Sequence, residues 1–200
     1  IHAVMRELGG ELKPERIAEL GHEVELGVQG SASPSDTFAS TTGGMVYVEP
    51  DEELRALDTP DFEFVIGYDG KSAPTGEMVA MVRRLTQETE VANDVMRSIG
   101  KITRDGVESV QSGNLERTGQ LMDLNHGLLE ALGVCTSSLS SMVWAARDSG
   151  AYGAKLTGAG GGGCTVALSD PGKSRNIVAG VGTVADEVFN AEVGQGVRAE

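Results

Sequence analysis

Residues 155–164, KLTGAGGGGC, hold five glycines in ten positions. Glycine loses more backbone entropy on folding than any other residue, so this density destabilises the chain unless something requires it. A path with positive φ is one requirement. Close approach of backbone N–H groups to an anion is another. The flanking segments, residues 152–156 and 164–168, are apolar and read as strands. The run is therefore a strand–loop–strand connection. No Gly-Lys-Ser/Thr closes it, so it is not a Walker loop, and no helix follows it as a Rossmann fingerprint requires. Three readings fit: a flexible linker, a tight structural connection, and a phosphate or substrate loop. The short length and apolar flanks favour the last.

The rest of the pattern is α+β. Ile1, Val4, Met5 and Leu8 fall at helical spacing, as the tail of a helix that begins upstream. Pro14 opens a second helix through Gln29. Residues 30–44, GSASPSDTFASTTGG, have no helical period and read as a loop. Residues 45–50 and 62–69 alternate as strands. Residues 75–113 read as two helices meeting near 87–89 or as one bent helix, and 114–133 and 135–150 as two more. Residues 174–192 read as a last helix and 195–200 as a final edge strand. Strands and helices do not alternate regularly, which argues against a doubly wound sheet. The acidic stretch 51–60 marks a boundary, with expected domains at 1–55 and 56–200.

Composition narrows the function classes. With 30 acidic and 16 basic residues the net charge is −14, which argues against nucleic acid and anionic membranes as partners. No apolar stretch approaches the roughly 20 residues of a membrane span. Cys135 and Cys164 make neither a metal spacing nor a disulfide framework, so a reducing cytoplasm is the default compartment.

Residues 30–44 contain one charge, Asp36, among Ser31, Ser33, Ser35, Thr37, Ser40, Thr41 and Thr42. A lone carboxylate in such a setting is either a turn or helix cap or a general base for a substrate hydroxyl. His2, His22 and His126 read as exposed or internally satisfied. Glu23 and Glu25 are helix-face carboxylates, able to bind a metal but ordinarily solvated. Met78, Met81, Met96 and Met122 read as core packing.

Together, KLTGAGGGGCTVAL, GSASPSDTFASTTGG and LNHGLLEALGV resemble the GHMP superfamily of small-molecule kinases, in its mevalonate kinase branch, from about His22 to Leu168. The resemblance implies a remnant of an N-terminal domain like a ribosomal-protein fold, followed by a ferredoxin-like C-terminal domain. The strands expected for that sheet are FEFVIGYD, GAKLT, CTVAL and VRAE. It implies transfer of phosphate from ATP, with Mg²⁺, to the primary hydroxyl of mevalonate. Asp36 would be catalytic. Gly158, Ala159, Gly160, Gly161, Gly162 and Gly163 would form the nucleotide and substrate loop, and Ser33 and Thr41 would support Asp36 or touch substrate. Pro34 and Ser35 before Asp36, and Thr37 after it, depart from the common pattern and leave substrate identity open. The superfamily's main ATP loop, its early lysine and its magnesium-binding glutamate are expected upstream of Ile1, which makes the 200 residues inactive alone. Phosphomevalonate, homoserine or sugar kinases, a related ATP-dependent decarboxylase, and a non-catalytic regulatory module are the alternatives. A homodimer is among the assemblies left open.

Overall fold

The computed structural model describes residues 2–7, 9–10, 12–29, 33–48, 54–71 and 74–197. The chain forms two compact units, Ile1–Thr59 with Val193–Glu200, and Pro60–Glu192. The sequence places residues 193–197 with the second domain. They belong instead to the first unit, where Val197 N–H donates to Thr41 O at 3.0 Å and Gly44 N–H to Gly194 O at 2.8 Å.

In the first unit, α1 (His2–Glu7) precedes α2 (Pro14–Gln29) and α3 (Pro34–Thr42). Ile17 and Ala18 of α2 are buried, and Gly21 lets the Thr37 side chain of α3 come close. β1 (Met45–Tyr47) and β2 (Arg55–Leu57) make an antiparallel ribbon in which the Arg55 guanidinium lies over the Tyr47 ring. β1 is shorter than the expected strand, residues 49 and 50 of which lie outside the described residues, and β2 was not legible in an acidic stretch.

α3 corrects the reading of residues 30–44 as a loop. Ser33 caps the helix, its hydroxyl accepting from Ser35 N–H, and Pro34 stands in the first turn. The residues lack an apolar stripe because their hydroxyls bond back along the helix. Ser40 donates to Asp36 O, Thr41 to Thr37 O and Thr42 to Phe38 O. Serine and threonine weaken helix interiors by competing for the backbone, but here the competition is settled within one turn.

The second unit is a four-stranded antiparallel sheet in the order β4 (Gly153–Leu156), β5 (Cys164–Ser169), β3 (Glu63–Tyr68), β6 (Glu187–Glu192). Three strands lie where the sequence puts them. The fourth does not: residues 174–192 divide into α8 (Arg175–Val181) and β6, so EVFNAE rather than VRAE completes the sheet. Residues 195–197 are not a strand, and 198–200 lie outside the described residues. Gly180 and Gly182 weaken a continuous helix, and the unpaired edge of β3 takes up the chain beyond them. Backbone pairing here overrides the helical preference of Ala and Glu.

α4 (Thr75–Glu88) and α5 (Glu90–Gln111) are separate helices because Thr89 is extended, at φ −145° and ψ 133°. Its hydroxyl accepts from Val91 N–H and so caps α5. α6 (Leu115–Ala131) covers β4, and α7 (Ser137–Asp148) packs on β4 and β5. The core joins Val65, Leu139, Met142, Val143, Leu156 and Val181. Gly67 on β3 makes room for it, since a Cβ there would lie 2.7 Å from a Val181 methyl. The glycine loop leaves the sheet between β4 and β5. Among the described residues no helix is long and apolar enough to cross a membrane.

Candidate active site

Asp36 stands in the first turn of α3 with its carboxylate exposed. Among the described residues Ser33 makes no hydrogen bond to the Asp36 side chain. It bonds Ser35, through Oγ at 2.7 Å and the backbone N–H at 3.3 Å, and so fixes the turn that carries Asp36. Thr41 is buried, and its hydroxyl is used by Thr37 O at 2.6 Å. It holds the far end of the same helix. A groove of about 580 Å³ beside α3 is lined by Glu15, Glu19, His22, Glu23, Pro34, Phe38 and Leu54. Its carboxylates disfavour an unscreened phosphate.

The glycine loop needs its glycines for two physical reasons. Gly158, Gly160, Gly161, Gly162 and Gly163 all have positive φ, from 76° to 137°. Side-chain-bearing residues rarely adopt that region. At Gly160 a Cβ would also lie 2.3 Å from Val134 O. The loop is therefore a fixed shape rather than a linker. Gly161 N–H donates to Val134 O at 2.7 Å, and Gly163 N–H to Asp69 Oδ1 at 2.8 Å. Two of the loop's N–H groups thus serve the protein itself.

Asp69, just past the end of β3, is the residue that sequence reading missed. It is 5% exposed, and its carboxylate accepts from the N–H groups of Gly163 and Lys71 and from the Ser138 hydroxyl. Its own N–H donates to Gly163 O at 3.0 Å. Burial pushes its pKa up. The hydrogen bonds from Ser138, Gly163 and Lys71, with the charge of Lys71, outweigh that and hold it below the usual carboxylate value. A carboxylate ending an alternating, mostly apolar strand was the available signal.

Two cations belong to the loop's surroundings. The Lys71 stem lies against Gly162, 3.2 Å from where a Cβ would sit. Lys155 precedes the loop, with Nζ donating to Leu156 O at 2.7 Å, and burial lowers its pKa. They put positive charge beside the loop of a chain whose net charge is −14.

Residues 107–186 match the GHMP kinases C terminal family. Over 100% of its length the chain is 42% identical to a mevalonate kinase of Thermococcus gammatolerans, covering 61% of that protein. Over 90% of its length it is 46% identical to a mevalonate kinase of Pyrococcus abyssi, covering 55% of it. The fold is similar to the crystal structure of Methanococcus jannaschii mevalonate kinase, with a TM-score of 0.82 and 31% identity over 96% of this chain and 60% of that one. It is also similar to L. major mevalonate kinase in complex with R-mevalonate, with a TM-score of 0.85 and 28% identity over 92% and 60% of the two chains. The chain spans just over half the length of the curated relatives it matches. With the glycine loop and its flanking strands β4 and β5 inside residues 107–186, this part of the chain belongs to the GHMP kinases C terminal family.

Proposed function

We propose that this chain carries the acceptor-side carboxylate and the glycine loop of a mevalonate kinase, which moves the γ-phosphoryl group of ATP to the primary hydroxyl of mevalonate. The observation that carries the reading is the fixed glycine loop, set in a chain 42% identical along its whole length to a curated mevalonate kinase. Phosphoryl transfer asks the protein mainly for positioning and for neutralisation of the transferring charge. Gly158, Ala159, Gly160 and Gly162 offer the loop backbone that Val134 and Asp69 do not occupy. Lys71 and Lys155 add positive charge nearby. Mg²⁺ enters with ATP as part of that substrate.

Asp36 is the residue that steers or accepts the proton of the attacking hydroxyl. Its exposure suits the task, since it must meet a substrate rather than a protein partner. Ser33 and Thr41 act through α3 by holding its two ends. The domains are read as a part carrying Asp36 and a C-terminal part carrying the loop.

The test is ADP release with Mg-ATP and, separately, mevalonate, phosphomevalonate, homoserine and galactose, at low and high salt. Because the relatives are longer, the 200-residue chain is assayed beside the longest natural form of the protein. Turnover with mevalonate alone, in the longer form alone, is the expected result. Turnover with another alcohol would move the substrate while keeping the reaction class. Phosphate and CO₂ as products would indicate a decarboxylase, and a folded protein inert to every acceptor would sink the kinase reading.

A further inference from the structure

β4 is an edge strand, paired on one side with β5. On its open side the N–H groups of Ala154 and Leu156 need acceptors. Both acceptors come from α6. Ala154 N–H donates to Asp123 Oδ1 at 2.9 Å, and Leu156 N–H to His126 Nδ1 at 3.3 Å. The helix comes this close because of paired glycines. A Cβ at Gly119 would lie 2.1 Å from Tyr152 O, and one at Gly153 2.0 Å from Gly119 O. Asp123 and His126 thus stand where a further strand's carbonyls would be.

His126 is 2% exposed. With Nδ1 accepting, its neutral ring carries the proton on Nε2. Nε2 lies 3.7 Å from Glu130 Oε1 and 3.9 Å from Cys135 Sγ. These three side chains bring ligand atoms within 4.8 Å of one another, a spacing that suits a metal ion. The tautomer argues otherwise. A metal on Nε2 needs its lone pair there and the proton on Nδ1, where Leu156 N–H already points. The cluster is a hydrogen-bonded brace. Ser140 extends it by donating to Glu130, with the Cys135 thiol 3.3 Å from the Ser140 hydroxyl.

The brace sits against the glycine loop. Leu156 is two residues before Gly158, and Val134, which takes the Gly161 N–H, is next to Cys135. We propose that His126 is a positioning residue for the glycine loop: its neutral imidazole holds Leu156, and protonation at Nδ1 releases the strand end from which the loop departs. The consequence for turnover rests on the kinase reading; the structural role does not. The charged and titratable groups that face the ring are Glu130 and Asp123 on α6, Arg147 on α7, Lys155 on β4 and Cys135 in the α6–α7 connection. Burial lowers the pKa first, Glu130 and Asp123 raise it, Arg147 and Lys155 lower it, and the balance falls below 6.5.

The test pairs ¹⁵N imidazole spectra with amide exchange at Leu156 and residues 158–163 in the wild type and in His126→Asn, His126→Gln and His126→Leu. Asparagine keeps an acceptor at the Nδ1 position; glutamine places its polar group nearer Nε2. The expected result is a proton on Nε2 and protection near the wild type in His126→Asn. Exchange should be at least tenfold faster in the glutamine and leucine variants. Wild-type protection, corrected for intrinsic exchange, should fall as His126 protonates, and His126→Asn should lack that step. Equal Leu156 protection in the wild type and His126→Leu would overturn the proposal. So would an unprotonated Nε2 at neutral pH, with or without added Zn²⁺. If His126→Leu fails to fold, the tautomer and the acid profile of the wild type still decide. In the kinase assay, turnover should drop about tenfold in His126→Gln, with less change in KM, and recover in His126→Asn. Absent kinase activity leaves the exchange result standing, so the two readings fail separately.

Discussion

The Asp36 helix and the glycine loop are built on opposite principles. α3 satisfies itself: its cap is its own Ser33, its hydroxyls bond its own carbonyls, and its one carboxylate is left exposed. The loop is held from outside at three points, by His126 through Leu156, by Val134 through Gly161 and by Asp69 through Gly163. The difference teaches where each region can be changed. The exposed Asp36 side chain can be altered with little structural consequence, because no protein group among the described residues bonds it. A change in the loop or its braces alters shape before it alters chemistry.

That contrast is tested hardest by Asp36→Asn. Turnover of the longest natural form with mevalonate should fall by about 10² or more, the order expected for a general base that also positions its substrate. ATP affinity and melting temperature should hardly move, since the side chain is exposed. Near-normal turnover would remove Asp36 from the mechanism, and a large loss of stability would break the comparison.

Gly160→Ala against Gly158→Ala probes the other side. Both glycines have positive φ, 84° and 76°. At Gly158 a Cβ meets nothing within 4 Å, whereas at Gly160 it lies 2.3 Å from Val134 O. Gly158→Ala should therefore cost only the left-handed strain, about 1–2 kcal/mol in chemical unfolding. Gly160→Ala carries that strain plus a displaced backbone and should cost clearly more. Equal costs would mean that the loop moves away from Val134 without penalty.

This pair also marks what the sequence could reveal. Glycine density is a local property, so the loop and its two flanking strands were legible. The shape of the loop depends on Asp69, Ser138 and Val134, which lie far along the chain and carry no pattern of their own. α3 was misread for a related reason. Helix period is read from apolar spacing, and a helix satisfied by its own hydroxyls has none, although Ser33-Pro34 was a usable start signal. β6 was hidden because its strand state comes from the open edge of β3 and not from EVFNAE itself. The sequence leaves His126 either exposed or internally satisfied; it is buried and satisfied, and which groups satisfy it depends on α6 lying against β4, a tertiary fact.

Asp69→Ala sharpens the account of bracing from outside. It leaves the Gly163 and Lys71 N–H groups and the Ser138 hydroxyl without their acceptor, at about 1–3 kcal/mol in total. The pH dependence gives the sign. Because the folded-state pKa of Asp69 lies below 3.8, its contribution is present above the unfolded value and is lost as pH falls through the folded one. Stability measured from pH 7 downward should show the wild type and Asp69→Ala converging in acid. A gap that stays constant to low pH would mean that the carboxylate's charge has no part in holding the loop.

Ser33→Ala should have the smallest effect. It removes the hydroxyl that accepts from Ser35 N–H at the start of α3, and loss of an N-cap costs about 1 kcal/mol. Pro34 still fixes the backbone at the next position, so the helix should shorten at its first turn and otherwise persist. Asp36 lies in that turn. Turnover should therefore fall a fewfold while the rest of the chain keeps its stability, and Ser33→Asp, another good cap, should restore most of it. If Ser33→Asp restored helix stability but not turnover, Ser33 would have to act on substrate directly, and α3 would then carry two functional side chains instead of one.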